Sequence, residues 1–203
     1  HSQALLEQRA RELETLSRTD ALTQIPNRLK FQESLKVAWR DARRRQEPLA
    51  VAMIDLDYFK NINDSHGHPF GDICLQAAAK GLASILRRPG DMVARFGGEE
   101  FVVLMPNTDE AGALLVAQAM LDKIKQTYIS QDGHSVLLSC SIGVSAQIPD
   151  HETPADTLVK EADAALYVAK QAGRGRVLPY RSPDAVQEDA CTPAEQAPFT
   201  AAA

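Results

Sequence analysis

Met92-Val93-Ala94-Arg95-Phe96-Gly97-Gly98-Glu99-Glu100-Phe101-Val102-Val103-Leu104-Met105 is the stretch that decides the fold. Two short apolar runs, Met92 to Phe96 and Phe101 to Met105, flank adjacent glycines that can both take positive φ, a strong signal for a tight hairpin. The expected structure is a pair of antiparallel strands with Glu99 and Glu100 just past the tip. Upstream, Leu49 to Asp55 is an apolar run without helical period that ends on an acid, and it reads as a buried strand. A polar connector to Pro69 is expected after it, with His66 and His68 as polar loop residues. Downstream, Val136 to Val144 reads as a further strand.

Helical periodicity fills the intervals. Phe31, Leu35, Ala38, Trp39 and Ala42 recur at helical spacing between Asn27 and Arg45, which makes Trp39 a core residue. Ile73, Ala77, Leu82, Ile85 and Leu86 mark a helix that ends before Pro89-Gly90. Helices are also expected from Thr108 to Lys125 and from Pro154 to Ala172, the latter with Thr153 as N-cap, Pro154 at its first position and Gly173 at its C-terminal end. An antiparallel hairpin combined with helical crossovers implies an α+β (mixed α/β) fold: a central mixed sheet flanked by helices. Leu6, Leu13 and Leu16 give residues 1–18 an amphipathic pattern that fits a coiled-coil-like signalling helix or a solvated lead-in helix alike. Residues 19–178 form the expected domain, and the Pro/Ala-rich residues 179–203 read as a disordered tail.

Composition narrows the function. The 203 residues carry a net charge of −5, against the basic face expected of a nucleic-acid binder, so any polyanionic ligand must meet local positive charge. Cys74, Cys140 and Cys191 are scattered without CxxC or Cys/His grouping, which suggests neither a disulfide framework nor a zinc site and fits a reducing, cytoplasmic setting. No apolar run approaches the ~18 residues needed to span a bilayer, so a membrane anchor is expected only outside this chain, which reads as part of a longer protein with an upstream sensor. Asp55, Glu99 and Glu100 can converge if their strands are neighbours. Converging carboxylates are hard oxygen ligands suited to Mg²⁺, which shares its shell with phosphates. Taken singly, each reads better as an ordinary solvated acid at a strand end or turn.

The string Arg95-Phe96-Gly97-Gly98-Glu99-Glu100-Phe101 resembles the signature of GGDEF-domain diguanylate cyclases in its GGEEF form. The resemblance runs in order from Asp20-Ala21-Leu22-Thr23 with Asn27-Arg28, through Asp55-Leu56-Asp57-Tyr58-Phe59-Lys60, Asn63-Asp64 and Gly71-Asp72. It continues through Ser141-Ile142-Gly143-Val144 to Asp163, Ala165-Leu166-Tyr167, Lys170 and Gly173-Arg174. It implies a sheet like the palm of nucleotide cyclases and polymerases, and an active homodimer that joins two GTP into cyclic di-GMP. It implies two Mg²⁺ per site, with Mn²⁺ as a substitute, held by Asp55, the carbonyl of Leu56 and Glu99. Glu100 matches either a second-metal ligand or the activator of the 3′-hydroxyl. Asp57 is assigned no metal.

By the same resemblance Asn63 and Asp72 match guanine-reading positions, where a carboxylate can accept from N1–H and N2–H₂ together. Tyr58, Phe59, Lys60, Lys170 and Arg174 match the remaining GTP contacts, the three cations meeting the triphosphate. Arg88-Pro89-Gly90-Asp91 reads first as a helix-to-strand turn. Its spacing ahead of GGEEF also resembles an inhibitory product site, where Arg88 and Asp91 would bind guanine, although Ala119 stands where a second arginine is often found. Gln24-Ile25 in place of Gly-Leu, and Gly175 in place of Asn, depart from the family pattern without touching an assigned role. The reading from another class is a catalytically silent receptor for GTP or cyclic di-GMP; degenerate acids at Glu99 or Glu100 would favour it, and both are intact.

Overall fold

The computed structural model describes residues 18–183; the expected helix at residues 1–18 falls almost wholly outside them, as does the tail beyond residue 183. Its centre is β1 (Leu49–Leu56), buried along its whole length, which is why the run carries no polar alternation. Ala50, Ala52, Ile54 and Leu56 face α3 (His68–Ile85) and α4 (Glu110–Lys125). Leu49, Val51 and Met53 face α1 (Arg28–Arg45) and α5 (Thr157–Gln171). Two helical layers therefore sandwich one sheet, and Trp39 lies in the α1 layer, as its spacing implied.

The sheet runs in the order β2 (Met92–Gly97), β3 (Glu100–Pro106), β1, β6 (Cys140–Gln147), β7 (Val177–Pro179). β1 is antiparallel to both neighbours, and β7 is parallel to β6. Each crossover, from β1 to β2 and from β3 to β6, skips one strand, which is the split βαβ arrangement of ferredoxin-like sheets. The expected mixed sheet with its hairpin is thus present.

Several boundaries differ from the sequence reading. The connector after β1 contains a helix, α2 (Phe59–His66), and His68 opens α3, so neither histidine sits in a loop. The stretch before β6 forms a separate hairpin, β4 (Tyr128–Gln131) with β5 (His134–Leu137), closed by Asp132 and Gly133, both at positive φ. His66 Nδ1 lies 2.9 Å from His134 Nδ1 and ties that hairpin to α2. Helix α5 begins at Thr157 after Asp156, while Thr153 donates to Asp150 in the preceding turn instead of capping. Order continues past Leu178: Tyr180 N donates to Val144 O, and Arg181 pairs with Glu110 at 2.7 Å. No described helix is long and apolar enough to cross a membrane.

Gly143 lets α5 lie directly on β6, since a Cβ there would overlap the Ala162 carbonyl and the Leu166 amide. Those are main-chain atoms of a packed helix and cannot rotate away. Gly143→Ala is therefore expected to cost about 3 kcal/mol, at the upper end for overpacking, read as a lower urea midpoint with unchanged slope. An unaltered midpoint would mean that α5 shifts freely on the sheet.

Candidate active site

β1 ends where Asp55 stands directly opposite Glu100 of β3 on one side and Ser141 of β6 on the other. The hairpin turn sits one residue later than the glycine pair suggested. Gly97 pairs with Glu100, leaving Gly98 and Glu99 as the two turn residues, and of the two glycines only Gly98 has positive φ. A glycine at the first central position is the requirement of a type II′ turn. Strand alternation therefore does not govern Glu99, whose carbonyl accepts from Leu56 N at 3.3 Å. Register sets Glu100 opposite Asp55, and the turn brings Glu99 into the same cleft as Asp55.

Their charge is poorly compensated. Burial raises the Asp55 carboxyl above its ordinary range; the Lys170 ammonium, 2.9 Å away, pulls it back, and Glu99 and Asp57 push it up again. Burial likewise raises Glu100, followed by repulsion from Asp55 and Asp163, with Lys170 opposing and Glu99 adding to it. Among the described residues no three acid, histidine or cysteine side chains close round one point as a finished metal cage. The donor set nevertheless suits Mg²⁺: oxygen ligands only, mutually repelling, with one cation as counter-charge.

Asp55, Leu56, Asp57, Tyr58, Phe59, Lys60, Glu99, Lys170 and Arg174 line a cleft of about 170 Å³. Lys170 comes from the last turn of α5, and Arg174 from the turn that follows, its guanidinium 5.0 Å above the Tyr58 ring. Phe59 borders the cleft, but its ring is buried in the core, so any contact it offers is through its main chain. It opens α2, whose N-terminus has no side-chain cap and leaves free amides there. Asn63 and Asp72 lie on α2 and α3 at a tight corner: a Cβ on Gly71 would overlap Asn63 Oδ1. That Oδ1 is buried without a hydrogen-bond partner, whereas Asp72 is exposed. Asp72 is the fifth residue of α3 and so lies beyond the first turn, where its charge would serve the helix dipole. A larger cavity, about 540 Å³, runs along α1; Glu33, Asp41, Glu47, Lys30 and Arg45 line it, but none of the motif acids or cations does.

Arg88 and Asp91 sit at the opposite end of β2 from the turn, about 20 Å away at the rise of a strand. Arg88 donates to Pro106 O at 2.7 Å and Thr108 Oγ1 at 3.0 Å, with Asp91 at 4.0 Å. Asp91 Oδ1 is buried without a hydrogen-bond partner, and burial raises its carboxyl against the pull of Arg88. Ala119 is exposed on α4.

The sequence reading gave no role to Asp20 and Arg95, which clamp the entering chain to the hairpin. Arg95 Nη1 meets Asp20 at 3.2 Å, its Nε donates to Gly98 O at 3.0 Å, and its amide donates to Pro26 O. Burial alone would raise Asp20, but Thr23 and Arg95 together hold its carboxyl below the usual range. Gln24, within this turn, has a φ of 60°, which explains why a glycine suits the position. Their occurrence in the ordered motif was the available signal.

A split βαβ sheet whose central strand ends carry an acidic rim, faced by a cationic helix end, defines a palm-type α/β domain. The sequence profile described as "Diguanylate cyclase, GGDEF domain" matches residues 17–176, and the chain belongs to that family. It is similar to "Diguanylate cyclase A" of Treponema denticola, 44% identical over 133 residues, covering 66% of this chain and 35% of that protein. It is also similar to "Diguanylate cyclase TpbB" of Pseudomonas aeruginosa, 41% identical over 174 residues, 84% of this chain and 39% of that protein. The solved GGDEF domain of TpbB superposes with a TM-score of 0.75 at 39% identity, over 84% of this chain and 99% of that one. The GGDEF domain of DgcB from Caulobacter crescentus, solved in complex with c-di-GMP, gives 0.76 at 27% identity, over 81% and 94%. This chain thus spans well under half the length of the curated relatives.

Because the Glu100 carboxyl is raised, its ionisation costs the folded state. The associated stability is full below the unfolded-state carboxylate value and lost as pH rises through the folded one. Glu100→Gln removes that loss. In metal-free protein at pH 7 the variant is expected to melt above wild type, with the gap closing as pH falls through the carboxylate range. Equal melting at every pH would show that the rim is not electrostatically strained.

Proposed function

We propose that this chain is a diguanylate cyclase domain that condenses two GTP into cyclic di-GMP, releasing two pyrophosphates, as a Mg²⁺-dependent homodimer in the cytoplasm. The observation that carries the reading is the intact acid and base set round one cleft: Asp55 and Glu99, with Glu100 opposite Asp55, together with Lys60, Lys170 and Arg174. The 3′-hydroxyl oxygen of one GTP forms a bond to the α-phosphorus of the other, the bond to the pyrophosphate leaving group breaks, and the hydroxyl proton passes to solvent water. The reciprocal attack closes the ring. Metal ions held by Asp55, the Leu56 carbonyl, Glu99 and Glu100 would supply charge neutralisation at the phosphates and acidify the nucleophile.

The chain's own groups take the remaining tasks. Lys60, Lys170, Arg174 and the free amides at the start of α2 bind the triphosphate. Asn63 and Asp72 offer acceptors to guanine's N1–H and N2–H₂, for which adenine has no matching donor pair. Lys170 must loosen from Asp55 when phosphate arrives, which couples substrate entry to release of the metal-binding carboxylate. An open cleft on the domain surface suits two domains meeting face to face, each bringing one GTP.

Purified protein with GTP and Mg²⁺ is expected to give cyclic di-GMP by chromatography, at a rate rising faster than linearly with enzyme concentration. Glu100→Gln is expected to abolish turnover with the fold retained. Absence of product from a dimer-competent wild type would leave the receptor reading in its place.

Product inhibition at Arg88 and Asp91 belongs to the same proposal. The buried Asp91 oxygen, without a hydrogen bond and 4.0 Å from Arg88, supports it, while Arg88 must exchange its bonds to Pro106 and Thr108 for product, and Ala119 adds no second cation. Arg88→Ala should raise the inhibition constant and leave initial rates nearly unchanged, measured by calorimetry and by rates with added cyclic di-GMP. Equal binding by both proteins would reduce the segment to a turn.

A further inference from the structure

The turn between α5 and β7 holds Gly173, Arg174 and Gly175, whose φ values are 107°, 63° and 57°. Of these three successive residues at positive φ the two glycines take it readily, whereas an arginine there is a conformation that its surroundings must hold. The groups that hold it are visible. Gly175 N donates to Asp57 Oδ2 at 3.1 Å and to Ser141 Oγ at 3.2 Å, and Gly175 O accepts from Lys125 Nζ at 2.7 Å. Asp57 is itself fixed, accepting from Ser139 Oγ at 2.8 Å and Ser141 Oγ at 2.7 Å. It is buried, and both its oxygens are taken by these donors. On the other side of the turn Arg174 N donates to Ala169 O at 3.1 Å, and Arg176 Nε donates to Arg174 O at 3.1 Å.

We infer that Asp57 is the positioning residue for Arg174: its carboxylate, through Ser139, Ser141 and the Gly175 amide, holds the turn so that the guanidinium stands over Tyr58 and faces the cleft. This rests on the reading of Arg174 as a triphosphate contact. The carboxylate two residues after Asp55 thereby shapes the cationic side of the site and leaves the metal to its neighbours. The geometry also accounts for Gly175 where asparagine is common, because αL is a conformation that both residues adopt readily. The departure that seemed to touch no role marks the residue through which Asp57 acts.

The test is a double-mutant cycle on kcat/KM for GTP with Asp57→Asn and Arg174→Ala, with thermal melting to establish folding. Asp57→Asn alone is expected to lower kcat/KM about tenfold, mainly through KM, and to add less than about twofold in the Arg174→Ala background. Should Asp57→Asn fail to fold, Ser139→Ala and Lys125→Met remove single supports of the same turn and are expected to show the same non-additivity at smaller size. An unchanged kcat/KM in Arg174→Ala would sink the triphosphate assignment and this inference with it. A clear loss there beside a full, additive loss from Asp57→Asn, or no loss from any support, would overturn the positioning role while leaving the assignment of Arg174 intact.

Discussion

Everything in this domain depends on a strand that is buried on both faces and nevertheless ends in a carboxylate. Helices cover β1 from either side, and its end lies in the wall of the cleft. Asp55 is carried there by the same apolar run that builds the core, and antiparallel register on its β3 side fixes Glu100 beside it. Burial raises both carboxyls, neighbouring acids raise them further, and Lys170, 2.9 Å from Asp55, offsets the two. The packing of apolar side chains thus holds an electrostatic arrangement that a cation would relieve.

The rim explains the division of labour between neighbouring acids. Asp55 and Asp57 lie two residues apart in sequence, yet one faces a single lysine across a solvent-open cleft and the other is saturated by two hydroxyls and an amide. A buried carboxylate with three donors keeps little acceptor capacity for a ligand; one with a single mobile partner keeps most of it. Residue type could not separate the two, and hydrogen-bond partners from β6 and the turn after α5 do so at once.

The parts legible in the sequence are those where one local signal dominates: the unbroken apolar run of β1, the helical spacing of Phe31, Leu35 and Trp39, and the glycines of the β2–β3 hairpin. The ordered motif located the acids and cations of the cleft. What escaped depended on backbone conformation or on distant partners. The Gly98-Glu99 turn differs from a Gly97-Gly98 turn by one residue of register, which composition cannot fix. The Asp132-Gly133 pair was a readable hairpin signal that went unused. The polar helix α2 buries Phe59 alone, leaving no periodic stripe to see. Gln24 and Gly175 looked like neutral departures because positive φ leaves no trace in a pattern of polarity.

The clamp at Arg95 joins these observations to the way the chain enters the domain. Asn27 bridges to Arg95 alongside β2, and Arg95 grips Asp20 with one arm and the carbonyl of Gly98 with another. Gly98 directly precedes Glu99. The segment at residues 20–27 and the turn that presents Glu99 are therefore joined through Arg95, by its largely buried guanidinium and by its amide's bond to Pro26 O, with Thr23 fixing the Asp20 carboxylate. A displacement of the entering chain cannot leave the turn untouched unless the main-chain bond to Pro26 and the Asp20–Arg95 ion pair both break. The low exposure of the ion pair makes its break costly, since an arginine and an aspartate would each be left partly desolvated without a partner. The acidic rim is thus fixed from two directions: by the buried strand beneath it, and by the point at which the polypeptide arrives.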